Sequence, residues 1–139
     1  MARFLLDTNV PSELNKQKPN AGVVKWIGMA NEDDLFLSVV SIAEISRGVE
    51  RLAGGRRQAL LRTWMNELAA RFGGRTLPVS TDVAIESGCL EALAMRQGRP
   101  LEFADALVAA TARIHDLTLV TRNVADFAGL PVEVHNPWS

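Results

Sequence analysis

The sequence predicts an α/β fold, a three-layer α/β/α domain around a central parallel β-sheet. Three observations lead there: short apolar runs of β-type residues without polar alternation, segments of helical spacing between them, and the alternation of the two along 139 residues. A strand without polar alternation is buried on both faces, which is the condition of a parallel sheet covered by helices.

The first run, residues 3–6, ends at Asp7-Thr8-Asn9, and a second, residues 35–40, leads into Ser41. Residues 41–52 then carry Ile42, Ile45, Val49 and Leu52 at spacings of 3, 4 and 3, a helix that Gly54-Gly55 stops. Residues 56–72 form the clearest helical pattern, with Leu60, Leu61, Trp64, Leu68 and Phe72 on one side and Arg62, Asn66 and Arg71 off it. A third helix is expected over residues 81–97, ended by Gly98 and Pro100, and a fourth over 102–115. Residues 117–121 give the next strand, and 132–134 a last edge strand before Pro137. With no internal repeat, low-complexity tract or long linker, the chain is expected to be one domain over residues 1–139. At this length about 68% of the unfolded chain's surface is buried, enough for a core without staples.

Composition excludes several classes. At 47% apolar and 22% charged, with no run of 18 apolar residues, the chain is not a membrane-spanning protein. Its opening stretch has only Phe4-Leu5-Leu6 before Asp7, too short for a signal peptide, so a cytoplasmic location is expected. A single cysteine, Cys89, and two distant histidines exclude internal disulfides and a thiolate or imidazole zinc site. The net charge of −1 conceals an uneven distribution: residues 47–75 hold seven arginines against Glu50 and Glu67, a local charge of +5. Basic charge confined to one region suits a polyanionic partner, although a solvated helix face explains it equally well.

The acids are placed where chemistry gathers in this architecture, outside the carboxyl ends of the strands. Asp7 directly follows the first strand, where a turn residue is the structural alternative. Glu44 stands three residues after Ser41, the spacing of a capping box, yet the same geometry aims it back toward the strand end beside Asp7. Asp105 lies in the first turn of a helix that reads as buried nearly all round, with Phe103, Leu107, Ala110 and Ile114 on one face and Val108, Ala109 and Ala112 on the other. A carboxylate there gains from the helix dipole but still needs a cation or several hydrogen bonds. Asp126 follows the third strand through Arg122-Asn123-Val124-Ala125, where Asn123 could also serve as a helical cap.

The four acids, separated by 37, 61 and 21 residues, all fall at strand ends or helix starts that the fold brings to one rim. Gathered carboxylates repel one another unless a hard cation such as Mg²⁺ or Mn²⁺ neutralises them. Such a cation keeps open positions for water and phosphate oxygens, the requirement of a nuclease. Competing motifs fail. Gly54-Gly55-Arg56 lacks the spacing and lysine of a P-loop, and no dinucleotide fingerprint or nucleophilic serine elbow occurs. An aspartyl phosphatase would want Asp-x-Asp where the chain has Asp7-Thr8-Asn9. A phosphate-receiving domain would want a lysine after a late strand, but every lysine lies between Lys16 and Lys25.

These residues resemble the PIN-domain ribonucleases, and within them the VapC toxins of the FitB-like branch. The resemblance rests on Phe4-Leu5-Leu6-Asp7-Thr8-Asn9, Ser41-Ile42-Ala43-Glu44-Ile45 with Arg47-Gly48, the run from Asp105 to Ala112, Leu119 to Phe127, and Asn136-Pro137-Trp138. It implies a PIN-like fold and a homodimer that cleaves RNA with Mg²⁺ or Mn²⁺. It also implies inhibition by a VapB-like antitoxin, with DNA reached only through that partner. By position it makes Asp7, Glu44, Asp105 and Asp126 the catalytic and metal-binding acids, with Asn9 and Thr121 as supporting polar residues. Glu102, three residues before Asp105, is an accessory candidate. The basic segment 47–75 resembles the helical arm of groove and dimer surfaces. Two alternatives stay open, a housekeeping PIN nuclease of RNA processing and a low-activity binding partner of a DNA-binding protein.

Overall fold

Five strands form one sheet in the order β3-β2-β1-β4-β5, and every neighbouring pair is parallel. The computed structural model describes residues 2–139. Along the chain run β1 (Phe4–Leu6), α1 (Asn9–Leu14), α2 (Ala21–Met29), β2 (Leu35–Ser38), α3 (Val39–Glu50) and α4 (Arg56–Arg71). After them come β3 (Thr76–Leu77), α5 (Thr81–Arg96), α6 (Phe103–Ile114), β4 (Thr118–Val120) and β5 (Val134–His135), with a 3-10 turn over Val124–Phe127.

The central strand sorts its side chains by the two-residue period of a strand. Leu5 joins one core cluster with Val83 and Leu90 of α5, Val108 and Ala109 of α6, and Leu119. Leu6 joins the opposite cluster with Val10, Val23, Leu37, Phe72 and Val120. A helical layer therefore covers each face of the sheet, α5 and α6 on one side, α1 and α2 on the other, as the sequence predicts. Among the described residues no helix is long and apolar enough to cross a membrane.

Several elements differ from the sequence reading, each for a local reason. The second strand stops at Ser38 rather than Val40, because Ser38 is the cap of α3 and its Oγ accepts from the Val40 N–H at 3.0 Å. Ser41 is therefore no cap. It sits within the helix, fully buried, and the capping-box explanation of Glu44 is overturned. Helix α6 is not buried all round: Ala106 and the run from Val108 to Ala112 are buried, while Phe103 is 68% and Ile114 42% exposed at its two ends. Helix α4 buries none of its residues fully and leaves Leu60 exposed, since it packs mainly on α3 as an outer arm.

The short elements α1, α2 and β3 went unread in the sequence. Pro11 sits in the first turn of α1, where its missing N–H costs nothing, and Asn20 caps α2 by accepting from Gly22 and Val23 N–H. The last edge strand is shifted by one or two residues, to Val134–His135. Gly98, with φ +72°, closes α5 as expected. Its left-handed conformation lets the Arg99 N–H reach back to the Ala94 carbonyl at 2.9 Å, the bond that turns the chain toward α6.

Candidate active site

The sheet changes direction at β1, with β2 to one side and β4 to the other, and that is where the acids meet. Asp7 continues the backbone ladder past the end of β1, its N–H donating to the Val120 carbonyl at 2.9 Å. This fixes its side chain at the crevice between β1 and β4. Its carboxylate is buried and takes one bond on each oxygen: the Thr8 N–H donates to Oδ1 at 2.8 Å and the Thr121 hydroxyl to Oδ2 at 2.8 Å.

Thr121 is itself held by the residues around it. Its Oγ1 accepts from Asn9 Nδ2 at 3.2 Å and from the Asn123 N–H at 3.1 Å, so its own proton is left for Asp7. The two polar residues expected to support the acids thus form a single chain, Asn9 to Thr121 to Asp7. A second chain holds Glu44. Thr8 Oγ1 lies 2.7 Å from Glu44 Oε1 and 2.9 Å from Ser41 Oγ. A hydroxyl has one proton to give, so Thr8 donates to the carboxylate and accepts from Ser41. Thr8 precedes α1 in the usual capping position, yet its hydroxyl makes no cap bond and is spent on Glu44 instead. Neither Thr8 nor Ser41 stood out as functional in the sequence. The one signal was the placing of a hydroxyl between Asp7 and Asn9, which reads as an ordinary turn.

Asp105 is half-buried in the first turn of α6, and Asp126 is exposed in the 3-10 turn after β4. Together with Arg99, Leu101, Glu102 and Ala125 they line a cleft of about 340 Å³. Glu44 and Thr8 line another, of about 270 Å³, walled by Ile45, Val49, Arg57, Leu61 and Trp64. Burial raises the pKa of Asp7 above the ordinary aspartate value despite its two hydrogen bonds, and the charges of Glu44 and Asp126 add to the rise. Asp105 is raised to about 6, first by burial and then by the charges of Asp7, Asp126, Glu102 and Glu44. The four acids and Glu102 therefore share one electrostatic field. Among the described residues no arginine, lysine or histidine forms an ion pair with any of them.

An all-oxygen donor set with unneutralised charge suits a hard divalent cation. No three acidic, cysteine or histidine side chains among the described residues come close enough to clasp one ion by themselves. A divalent ion held there would take one or two of these carboxylates directly and fill its remaining positions with water.

Comparison with known proteins gives this geometry its relatives. The model of the PIN domain matches residues 4–130, nearly the whole chain. The chain belongs to the PIN-domain family. Within the family it groups with the VapC and FitB toxins. It is 36% identical to toxin FitB of Neisseria gonorrhoeae over 97% of this chain and 98% of that protein. It is 33% identical to VapC ribonuclease Y4jK of Sinorhizobium fredii, with 97% of each covered. A solved structure of FitAB bound to an IR36 DNA fragment superposes with a TM-score of 0.91 at 36% identity, covering 98% of this chain and 96% of that one. The PIN-like fold that the resemblance implies is the fold observed.

Proposed function

We propose that the chain is the toxin of a type II toxin–antitoxin pair, a cytoplasmic endoribonuclease that hydrolyses RNA phosphodiester bonds with Mg²⁺ or Mn²⁺. The observation that carries this reading is the cluster of Asp7, Glu44, Asp105 and Asp126 at one sheet edge with no cation of the chain to neutralise it. A structural cluster would be expected to include its own arginine or lysine, since buried charge is costly unless paired. Names borne by the relatives, a toxin and a VapC ribonuclease, support the same activity.

Asp7, held on both oxygens, and Glu44, held by Thr8, would hold the ion together with Asp105 and Asp126. When bound, the ion would lower the pKa of a water and stabilise the leaving oxygen. Asp105 lines the cleft beside Asp126 and would accept the proton of the attacking water. Net, one water is added across a P–O bond.

The similar solved structures include toxin–antitoxin complexes, FitAB among them, bound to DNA. A VapB-like antitoxin partner, a homodimer, and contact with DNA only through the antitoxin follow for this chain as part of the proposal. The test is cleavage of a mixed RNA pool by purified, antitoxin-free protein with Mg²⁺ or Mn²⁺, beside chelator and Asp7→Asn controls. Metal-dependent cutting lost in both controls is expected. Cutting that persists in chelator would reject the acidic site, and no cutting of any RNA by folded, metal-loaded protein would reject the nuclease.

A further inference from the structure

The two clefts are lined by acids from either side of β1, Glu44 following β2 and Asp126 following β4, and each cleft contains one arginine. Arg57, in the first turn of α4, lines the Glu44 cleft, and Arg99, between α5 and α6, lines the Asp105 cleft. Both are exposed, and neither guanidinium pairs with a carboxylate among the described residues. Arg62, Arg71, Arg75 and Arg113 are each within ion-pair distance of a glutamate, and the other unpaired arginines line neither cleft.

We propose that a single RNA strand crosses the site from the Arg57 cleft to the Arg99 cleft, each arginine holding a phosphate that flanks the one being cut. This rests on the nuclease reading above. A divalent ion can offset the acids only at the scissile phosphate, because it binds there. The flanking phosphates would lie against Glu44 on one side and Glu102, Asp105 and Asp126 on the other. That repulsion requires a cation at each flank, and a free guanidinium is present at each. Guanidinium also suits phosphate in shape, offering two parallel donors. The clefts are unlike in one respect. Trp64 walls the Arg57 side and offers a base a stacking face, whereas the Arg99 side has no aromatic residue in its lining. The two flanks are thereby unlike, with an aromatic wall on the Arg57 side only.

The test uses Asp7→Asn as a non-cutting background and a fluorescein-labelled, mixed-sequence single-stranded 12-mer RNA, read by anisotropy in Mg²⁺ across a KCl series. Arg57→Ala and Arg99→Ala are each expected to weaken binding by about three- to tenfold and to lower the slope of log affinity against log salt by about 0.7, the share of one phosphate on a single strand. Lysine at either position should keep the slope. Arg3→Ala, at the amino end of β1, should change neither quantity. Cleavage by the protein with Asp7 intact runs alongside. If that protein cuts RNA while both arginine variants bind like the parent, the track is wrong and the nuclease stands. An effect at one arginine alone also overturns the two-sided track. Loss of antitoxin binding with RNA binding unchanged would assign the arginines to the protein partner and overturn it too. Protein that neither binds nor cuts RNA would remove the nuclease reading together with this one.

Discussion

Thr8 and Glu44 are joined by a hydrogen bond of 2.7 Å that crosses from the end of the first strand to the helix after the second. The same residue's N–H donates to Asp7. One threonine thus fixes the spacing between two of the acids, which lie on different elements and 37 positions apart.

Thr8→Val removes the hydroxyl while keeping the shape of the side chain. Glu44 then loses its orienting donor, and residues that orient metal ligands typically contribute about 10- to 100-fold in metal affinity or activity. The expected result is a rise of that order in the Mg²⁺ concentration needed for half-maximal cleavage, largely recovered at saturating metal, with Thr8→Ser close to the parent. A parent-like metal dependence in Thr8→Val would mean that Glu44 needs no positioning.

Ser38 and Ser41 separate capping from site support. Ser38→Ala removes the cap of α3 and is expected to cost about 1 kcal/mol in a denaturant titration, with the metal dependence of cleavage unchanged. Ser41→Ala removes a buried donor to Thr8, costs a comparable ~1 kcal/mol, and in addition shifts the metal dependence in the direction of Thr8→Val. Equal metal curves for the two variants would break the proposed relay from Ser41 through Thr8 to Glu44.

Asp7→Asn is expected to abolish cleavage and to leave the metal-free protein at pH 7.5 as stable as the parent or more so. Asp7 has a raised pKa, so its ionised form is disfavoured in the folded state. Asparagine relieves that burden but keeps only one accepting oxygen, so the gain is limited to ~1 kcal/mol, a few degrees in Tm. A fall of about 5 °C or more in chelator would assign Asp7 a structural role.

Metal-free stability should depend on pH in a direction opposite to that of a carboxylate with a salt-bridge partner. An acid with a raised folded pKa binds its proton more tightly when folded, so its charge costs stability as pH climbs from the unfolded value through the folded one. For Asp105 that window runs from the ordinary 3.8 to about 6. In chelator, Tm should therefore decline from pH 4.5 to pH 7, and Asp105→Asn should flatten the decline. A Tm that rises over the same interval in the parent, with no difference in the variant, would contradict the burden of burial and repulsion on Asp105.

How far the sequence alone reached can be judged from particular residues. The sheet, its covering helices and the convergence of the acids were legible, because apolar runs and helical spacing are strong local signals and the carboxyl edge of a parallel sheet follows from topology. Asn9 and Thr121 were legible only through family resemblance, and the structure joins them to Asp7 in one hydrogen-bonded chain. Ser41 was misread because Ser-x-x-Glu spacing is shared by a cap and by a buried relay. The choice depended on where β2 ended, a matter of two residues. Thr8 and Arg99 could not be read at all, since the role of each depends on a partner brought near by folding. The exposed Phe103 shows the same limit: helical periodicity tells which residues share a face but not where along the helix the covering layer stops.

The bond between Thr121 and Asp7 joins residues 114 positions apart. Its consequence concerns the timing of synthesis. During synthesis Asp7, with Thr8 directly after it, is made 114 residues before Thr121, the donor to its second oxygen, and well before the strand β4 beside it. Asp126 comes later still. A nascent chain that has not yet reached β4 carries Asp7 and Glu44 bridged by Thr8 but lacks Thr121 and Asp126. The central strand β1 thus waits for β4 before the acidic edge can close around Asp7.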